Sequence, residues 1–312
     1  MKLLLLGANG QLGHALIAPL STLGEVVVAT RDGRLASGAA CEAADLADPA
    51  SLASALDRVQ ADIVVNAAAY TAVDRAEDEP ALADRINHLA VAEIGAWAAR
   101  RSAFVVHYST DYVFDGTASR PYREDDATAP LGVYGCSKLA GEQALRDSGA
   151  RHFVLRTAWV YGARGHNFLR TMLRLAGERE VLRVVADQIG SPTPAHWIAS
   201  ATTRLLARWS AMAEADRKQA PGTYHLTASS RCSWHVFASA IVREGASRGL
   251  IARAPQVDAI TTREFPTRAL RPAWSVLDTV KLQLVFGIHL PEWEQGLREV
   301  LDELAQPSGD VE

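Results

Sequence analysis

The chain has 312 residues, 48% of them hydrophobic, and carries 32 Lys and Arg against 36 Asp and Glu, for a formal net charge of −4. That length and apolar content suffice for one extended α/β domain or two unequal ones, and the interleaved charges form no basic stripe of the kind that tracks a nucleic acid. Cys41, Cys136 and Cys232 lie far apart without a CxxC spacing, which argues against a disulfide framework or a structural zinc site and for a reducing compartment.

The first predicted element is LLLL at 3–6, a strand-length run before a glycine-rich turn. It is too short for a signal-peptide core, and no later apolar run approaches the roughly 20 residues that cross a bilayer, so a cytoplasmic chain with no membrane partner is expected. Further strand-length runs follow at 25–29, 62–66, 103–109 and 152–156, separated by helical spacing over 11–21, 49–58, 80–100 and 135–148. Continuous apolar strands alternating with helices predict a doubly wound parallel sheet of the Rossmann type, covered on both faces. After about residue 160 the rhythm weakens, and 181–185, 222–228 and 255–260 read as strands of a smaller α/β lobe. The expected organisation is therefore a dinucleotide-binding domain over 1–160, a mainly substrate-binding lobe over 161–304 with the chain free to recross between lobes, and a tail over 305–312. A ligand belongs in the cleft between them.

The first strand runs into GANGQLG, with Gly7, Gly10 and Gly13 three residues apart and Gln11 and Leu12 opening a helix. Glycines at this turn let the backbone approach a pyrophosphate that rests on the helix N-terminus, which points to a dinucleotide. The second strand ends in Thr30 and Arg31, where an acid would hold the ribose hydroxyls of NAD. A guanidinium there suits a 2′-phosphate, so NADPH use at least equal to NADH is expected, with Arg34 as a helper. The alternative is a solvated arginine in a turn. Asp45 and Leu46, after the third strand, are placed to touch adenine, and NAAAYT at 66–71 offers small residues where a cofactor passes close to the backbone.

HYSTDYVFDG closes the fourth long apolar strand and sets Thr110 and Asp111 at its carboxyl end, where open α/β sheets bind ligands. About two dozen residues on, YGCSK places Tyr134 and Lys138 one helical turn apart on a shared face. A free phenol, with a pKa of about 10, is a poor acid at neutral pH, and a nearby ammonium favours its phenolate. Thr110 would hydrogen-bond a carbonyl oxygen while Tyr134 delivers its proton, and Lys138 would hold the nicotinamide ribose. Read alone, the Tyr and Lys fit an ordinary amphipathic helix equally well. Trp97, Trp197 and Trp234 read as packing, and His14, His107 and His152 as structural.

In this order and spacing the motifs resemble the extended short-chain dehydrogenase/reductase family. Within it, GANGQLG, VVNAAAYTAVDRAE, VVHYSTDYVFDG, PLGVYGCSKLAGE, LRTAWVYG and DQIGSPT resemble the dTDP-4-dehydrorhamnose reductases, with RALRPAWSVLDT extending the match toward the C-terminus. The resemblance implies reduction of a dTDP-linked 4-keto sugar by NADPH or NADH, with Thr110, Tyr134 and Lys138 catalytic. It implies cofactor contacts at Gly10, Gln11, Leu12, Thr30, Asp45, Leu46, Ala69, Tyr70, Thr71 and Tyr108, besides Tyr134 and Lys138, with Asn87 in support. Thr110, Asp111 and Trp159 would surround the deoxysugar, and Asn167, Gln188, Gly190 and Arg271 the nucleotide end. Mg2+ enters by resemblance only; Ala15 stands where an acid would be needed for a metal-linked dimer, so no metal ligand is assigned and the chain is expected as a monomer or homodimer. Two alternatives share the motifs: another nucleotide-sugar reductase or epimerase, and a non-catalytic dinucleotide-binding regulatory subunit.

Overall fold

A computed structural model describes residues 1–306 of the chain. The first half alternates strand and helix: β1 (Lys2–Leu6), α1 (Gln11–Ser21), β2 (Glu25–Thr30), β3 (Glu42–Ala43), α2 (Pro49–Val59), β4 (Ile63–Asn66), α3 (Val73–Ala76), α4 (Pro80–Asp84), α5 (Ala90–Arg101), β5 (Phe104–Thr110), α6 (Val133–Asp147) and β6 (Arg151–Thr157). β1 shows why this works. Leu3 and Leu5 join one apolar core while Leu4 and Leu6 join the other, because successive side chains of a strand point to opposite faces. A strand buried on both sides must be apolar at every position, which is what the LLLL run supplies. On one face Leu16 and Leu20 of α1 close the core; on the other, Leu52 and Leu56 of α2 with Val91 and Ile94 of α5 do so.

The stretch 80–100, read as one helix, is interrupted by a π-turn at Arg85–Leu89 between α4 and α5. The wider turn lets a polar residue, Asn87, face inward, where its side chain bonds both backbone groups of Tyr70: Tyr70 N–H donates to Oδ1 at 2.9 Å, and Nδ2 donates to the Tyr70 carbonyl at 3.0 Å.

The second half contains β7 (Val160–Tyr161), α7 (Phe168–Glu178), β8 (Val181–Val185), β9 (Ile189–Gly190), β10 (Thr193–Pro194), α8 (Ala195–Ala211), α9 (Glu214–Gln219), β11 (Gly222–His225), β12 (Cys232–Ser233), α10 (Trp234–Ser247), β13 (Gln256–Ile260), α11 (Val280–Phe286) and α12 (Trp293–Ala305). β11, assigned to the smaller lobe by sequence pattern, instead extends the large sheet by pairing in parallel with β6. The seven-stranded sheet thus runs β11-β6-β5-β4-β1-β2-β3, all parallel, and α8 packs against α1 beneath it. Order reverses between β1 and β4, the switch point where such sheets open a crevice. The remaining strands form small pairs: β7 with β10, β8 with β13, and β9 with β12. The expected tail begins inside α12, and its residues 307–312 lie outside the described residues.

Candidate active site

The glycine turn is closed by backbone bonds, and the Asn9 side chain ties it to the loop after β2, donating to the Arg34 carbonyl and accepting from Ala36 N–H, each at 2.9 Å. Gly7 and Ala8 N–H groups both donate to the Ala29 carbonyl at 3.0 Å, and Gly10 N–H donates to Gly7 O at 2.9 Å. Gly7 has φ of +83°, and a Cβ on it would come within 2.7 Å of the Ala68 nitrogen. A Cβ on Gly13 would overlap the Gly7 carbonyl oxygen, so Gly13 sets the helix against the turn from beneath and does not itself line the cavity. Gly10 caps α1 without a side-chain bond, leaving the first N–H groups of the helix directed at the crevice. An open cradle of this shape fits a pyrophosphate.

In front of it lies a cavity of about 870 Å³. Gly7, Gly10, Gln11 and Leu12 form its floor; Thr30, Arg31, Asp45 and Leu46 stand at one end; Ala69 and Thr71 border the middle. Tyr108, Thr110, Asp111, Tyr134, Lys138 and Trp159 line the rest. The Thr30 hydroxyl is spent within its own turn, accepting from Arg34 N–H at 2.9 Å, whereas Arg31 is exposed and makes no ion pair among the described residues. Asp32, which sequence reading passed over, also borders the cavity. The Arg34 backbone N–H and the Thr30 hydroxyl hold its carboxyl below the usual range.

Thr110 ends β5 and caps the short turn Asp111–Val113. Its hydroxyl accepts from Tyr112 N–H at 3.2 Å and donates to Asp111 Oδ1 at 3.0 Å. Burial pushes the Asp111 carboxyl up to about 6. Burial also pushes the Tyr134 phenol up, with a hydrogen bond to Thr110 as the largest opposing effect. The expected ammonium-assisted phenolate is not what this arrangement builds. Lys138 reaches across to β5 instead, donating to the Tyr108 carbonyl at 2.6 Å and lying 3.3 Å from His107 Nε2. With its phenol raised by burial, Tyr134 stays neutral, the state a proton donor needs. Burial draws the Lys138 amine down to about 8, with Glu142 opposing.

A glycine cradle, a strand-end threonine and a Tyr-Lys helix thus meet around one crevice, and similarity to known chains follows this geometry. The RmlD substrate binding domain family matches residues 1–306. The chain belongs to that family. This RmlD-family chain is 47% identical over 298 residues to a dTDP-4-dehydrorhamnose reductase of Burkholderia thailandensis, covering 94% of this chain and 95% of that one. It is 40% identical over 304 residues to the enzyme of the same name from Salmonella typhimurium, covering 97% and 98%. Among solved structures, a dTDP-4-dehydrorhamnose reductase of Clostridium acetobutylicum superposes with a TM-score of 0.86 at 34% identity, covering 98% of this chain and 100% of that one. One from Bacillus anthracis, in complex with NADP, gives 0.84 at 33%, covering 97% and 99%.

Several residues expected at the site do not line the cavity of this RmlD-family chain. Asn87 and Tyr70 brace the segment that carries Ala69 and Thr71, and the Tyr70 hydroxyl donates to Glu79 at 2.6 Å. Asn167 caps α7, accepting from Arg170 N–H at 3.0 Å, and donates to Gln11 Oε1 at 2.8 Å, so it ties the second half to the first helix. Gln188 donates to the Thr262 hydroxyl at 3.0 Å. Arg271 is engaged with Asp74 at 2.8 Å. Gly190 serves Trp159, because a Cβ on it would overlap the indole.

Trp159 adopts a left-handed backbone, φ +47°, uncommon for a bulky residue and found where surrounding packing enforces it. Its indole stacks on that of Trp234, rings parallel within 4° and centroids 3.4 Å apart. Trp234, read as packing, therefore shares the cavity wall with Trp159. No local signal marks it, since the partners are 75 residues apart in sequence. Trp97 and Trp197 are buried, donating to Asp57 and Glu299. Among the described residues no group of three or more His, Cys, Asp or Glu is placed to hold a metal, and no helix is long and apolar enough to cross a membrane.

Proposed function

We propose that the protein reduces the C4 carbonyl of dTDP-4-dehydro-6-deoxy-L-mannose to give dTDP-L-rhamnose, using NADPH or NADH. The observation that carries this is the meeting of Thr110, Tyr134 and Lys138 with the glycine cradle around one cavity, in a chain whose relatives over nearly full length bear that reductase name. When bound, the nicotinamide cofactor supplies hydride. The chain's own residues do the rest. Backbone N–H groups at the start of α1 receive the pyrophosphate. Thr110 orients the substrate oxygen, and Tyr134, held protonated by burial, hands it a proton as the carbon is reduced. Asp111 and the Trp159–Trp234 stack border the deoxysugar, and Lys138 fixes the cofactor's ribose.

Residues 1–160 supply the cofactor side and most of 161–306 the sugar-nucleotide side. The oligomeric state proposed is a monomer or a homodimer. Arg31 is the cation for a 2′-phosphate, and Arg31→Ser is expected to lower the NADPH-over-NADH ratio of kcat/KM by about 10-fold or more, the size of one charge-assisted hydrogen bond. The reading as a whole is tested by purified protein, NADPH and the 4-keto sugar nucleotide, following nicotinamide absorbance. Tyr134→Phe should lower kcat/KM by roughly 10²–10⁴-fold with cofactor affinity little changed. Stereochemical inversion without cofactor turnover would instead mark an epimerase.

A further inference from the structure

A buried polar chain leads from Lys138 into the sheet, and none of the steps above uses it. His107 Nε2 is 3.3 Å from Lys138 Nζ, and His107 Nδ1 is 3.2 Å from Asn66 Nδ2. Asn66, His107 and Lys138 are 1%, 1% and 2% exposed. Strand pairing imposes the contact, since Asn66 of β4 stands directly opposite His107 of β5. Asn66 Oδ1 accepts from Ala68 N–H at 3.2 Å, so the other end of its amide, the NH₂, is the end turned toward the imidazole.

A neutral imidazole has one N–H and one lone pair. Burial above all holds His107 well below its ordinary pKa, so the ring is neutral. Because Nδ1 accepts from the Asn66 amide, the ring proton resides on Nε2 and points at the lysine nitrogen. An ammonium has no lone pair to receive it, but a neutral amine does. That amine still donates to the Tyr108 carbonyl at 2.6 Å.

We propose that Asn66 fixes the tautomer of His107, and that His107 so fixed is a positioning residue that favours the neutral amine of Lys138 over the ammonium. Other groups around the pair act with and against this. Glu142, one turn along α6, favours the ammonium, but it is shared with Arg156 of β6 at 2.7 Å and Arg146 at 3.2 Å. His152 of β6 helps keep His107 uncharged. Tyr134, one turn before Lys138, is itself neutral. The result is a lysine held below its ordinary pKa, one helical turn along α6 from the candidate proton donor. Its bearing on catalysis rests on the function proposed above; the tautomer and the lysine equilibrium do not.

The test is made on the whole protein without substrate. Histidine-selective ¹⁵N NMR, with the His107 signals assigned by their loss in His107→Gln, should show Nδ1 unprotonated and Nε2 protonated at neutral pH. A proton on Nδ1 overturns the proposal without any mutation of Asn66. The same signals report the ionisation of Lys138 as pH is raised. Asn66→Leu frees Nδ1, allows the ring to turn its lone pair to an ammonium, and should move that midpoint upward by about one pH unit, since a hydrogen bond to the neutral form disfavours the charged one. A midpoint that stays put in folded Asn66→Leu protein also overturns it. If the wild-type protein fails to oxidise NADPH with the keto sugar while these NMR results hold, the function reading falls and the tautomer assignment stands.

Discussion

The two halves of the chain build their shares of one cavity by different means. In residues 1–160, backbone and fully buried groups do the work: the turn at Gly7 is closed by bonds to Ala29 and Gly10, and Thr110 and Lys138 project from a strand and a helix that are themselves core elements. Toward the second half the wall is made by side chains laid against one another, Trp234 on Trp159 at the end of the first half, and by a segment pinned across the lobes where Arg271 meets Asp74 and Ala269 N–H donates to the same carboxylate at 3.2 Å. A sheet strand buried on both faces leaves no slack, whereas stacked rings and half-exposed ion pairs yield to a ligand's shape. The proposed cofactor end should therefore behave as a rigid mould and the proposed sugar-nucleotide end as an adjustable clamp.

Substitutions at the mould should weaken binding strongly and those at the clamp only shift it. The largest effect is expected from Gly13→Ala. The added methyl overlaps the Gly7 carbonyl oxygen, and overpacking of roughly 1–3 kcal/mol should weaken NADPH binding about 10–100-fold in a fluorescence titration. A near-native affinity would show that the turn has slack after all.

Asp111 probes the same rigidity through pH. Its carboxyl sits at about 6 in the folded chain against 3.8 for the ordinary group, so the native state holds that proton more tightly than the unfolded state does. The stability this contributes is fully present below pH 3.8 and is lost as pH rises through about 6. Asp111→Asn should consequently gain stability over wild type at pH 8, on the order of 2 kcal/mol, and differ little at pH 4, as thermal melts at the two pH values would read. Equal melting at pH 8 would mean the site relaxes to solvate the charge.

At the clamp, Trp234→Ala removes the partner of Trp159. KM for the sugar nucleotide should rise about 10-fold, the size of one lost aromatic pair with its burial, while KM for NADPH stays within about twofold. Asp74→Ala, which frees Arg271 from a partly exposed pair, should change the sugar-nucleotide KM by only about threefold, with diminishing effect at high salt. A loss as large as that of Gly13→Ala at either position would erase the distinction between mould and clamp.

The same division separates what was legible in the chain from what was not. The residues around the glycine turn, Thr110, Tyr134 and Lys138 could be picked out because each local pattern, an apolar run, a glycine spacing, a helical turn, reports one element. Asn167 and Arg271 could not be placed, because a helix cap and a cross-lobe ion pair depend on partners far along the chain. Trp234 and His107 were set aside as packing or structure for the same reason; each stands at a site only through its partner, Trp159 or Lys138.

By itself the amino-acid sequence determined the parallel sheet, the glycine turn and the candidate reacting side chains that line the cavity, since strand burial on both faces, glycine geometry and helical spacing are local demands with local signatures. Tertiary structure alone decided that β11 returns to the large sheet, that Lys138 bonds to β5 and not to Tyr134, and that two indoles close the far wall. Those outcomes depend on which surfaces the lobes bring together, and pairing between strands or rings dozens of residues apart leaves no periodic trace along the chain.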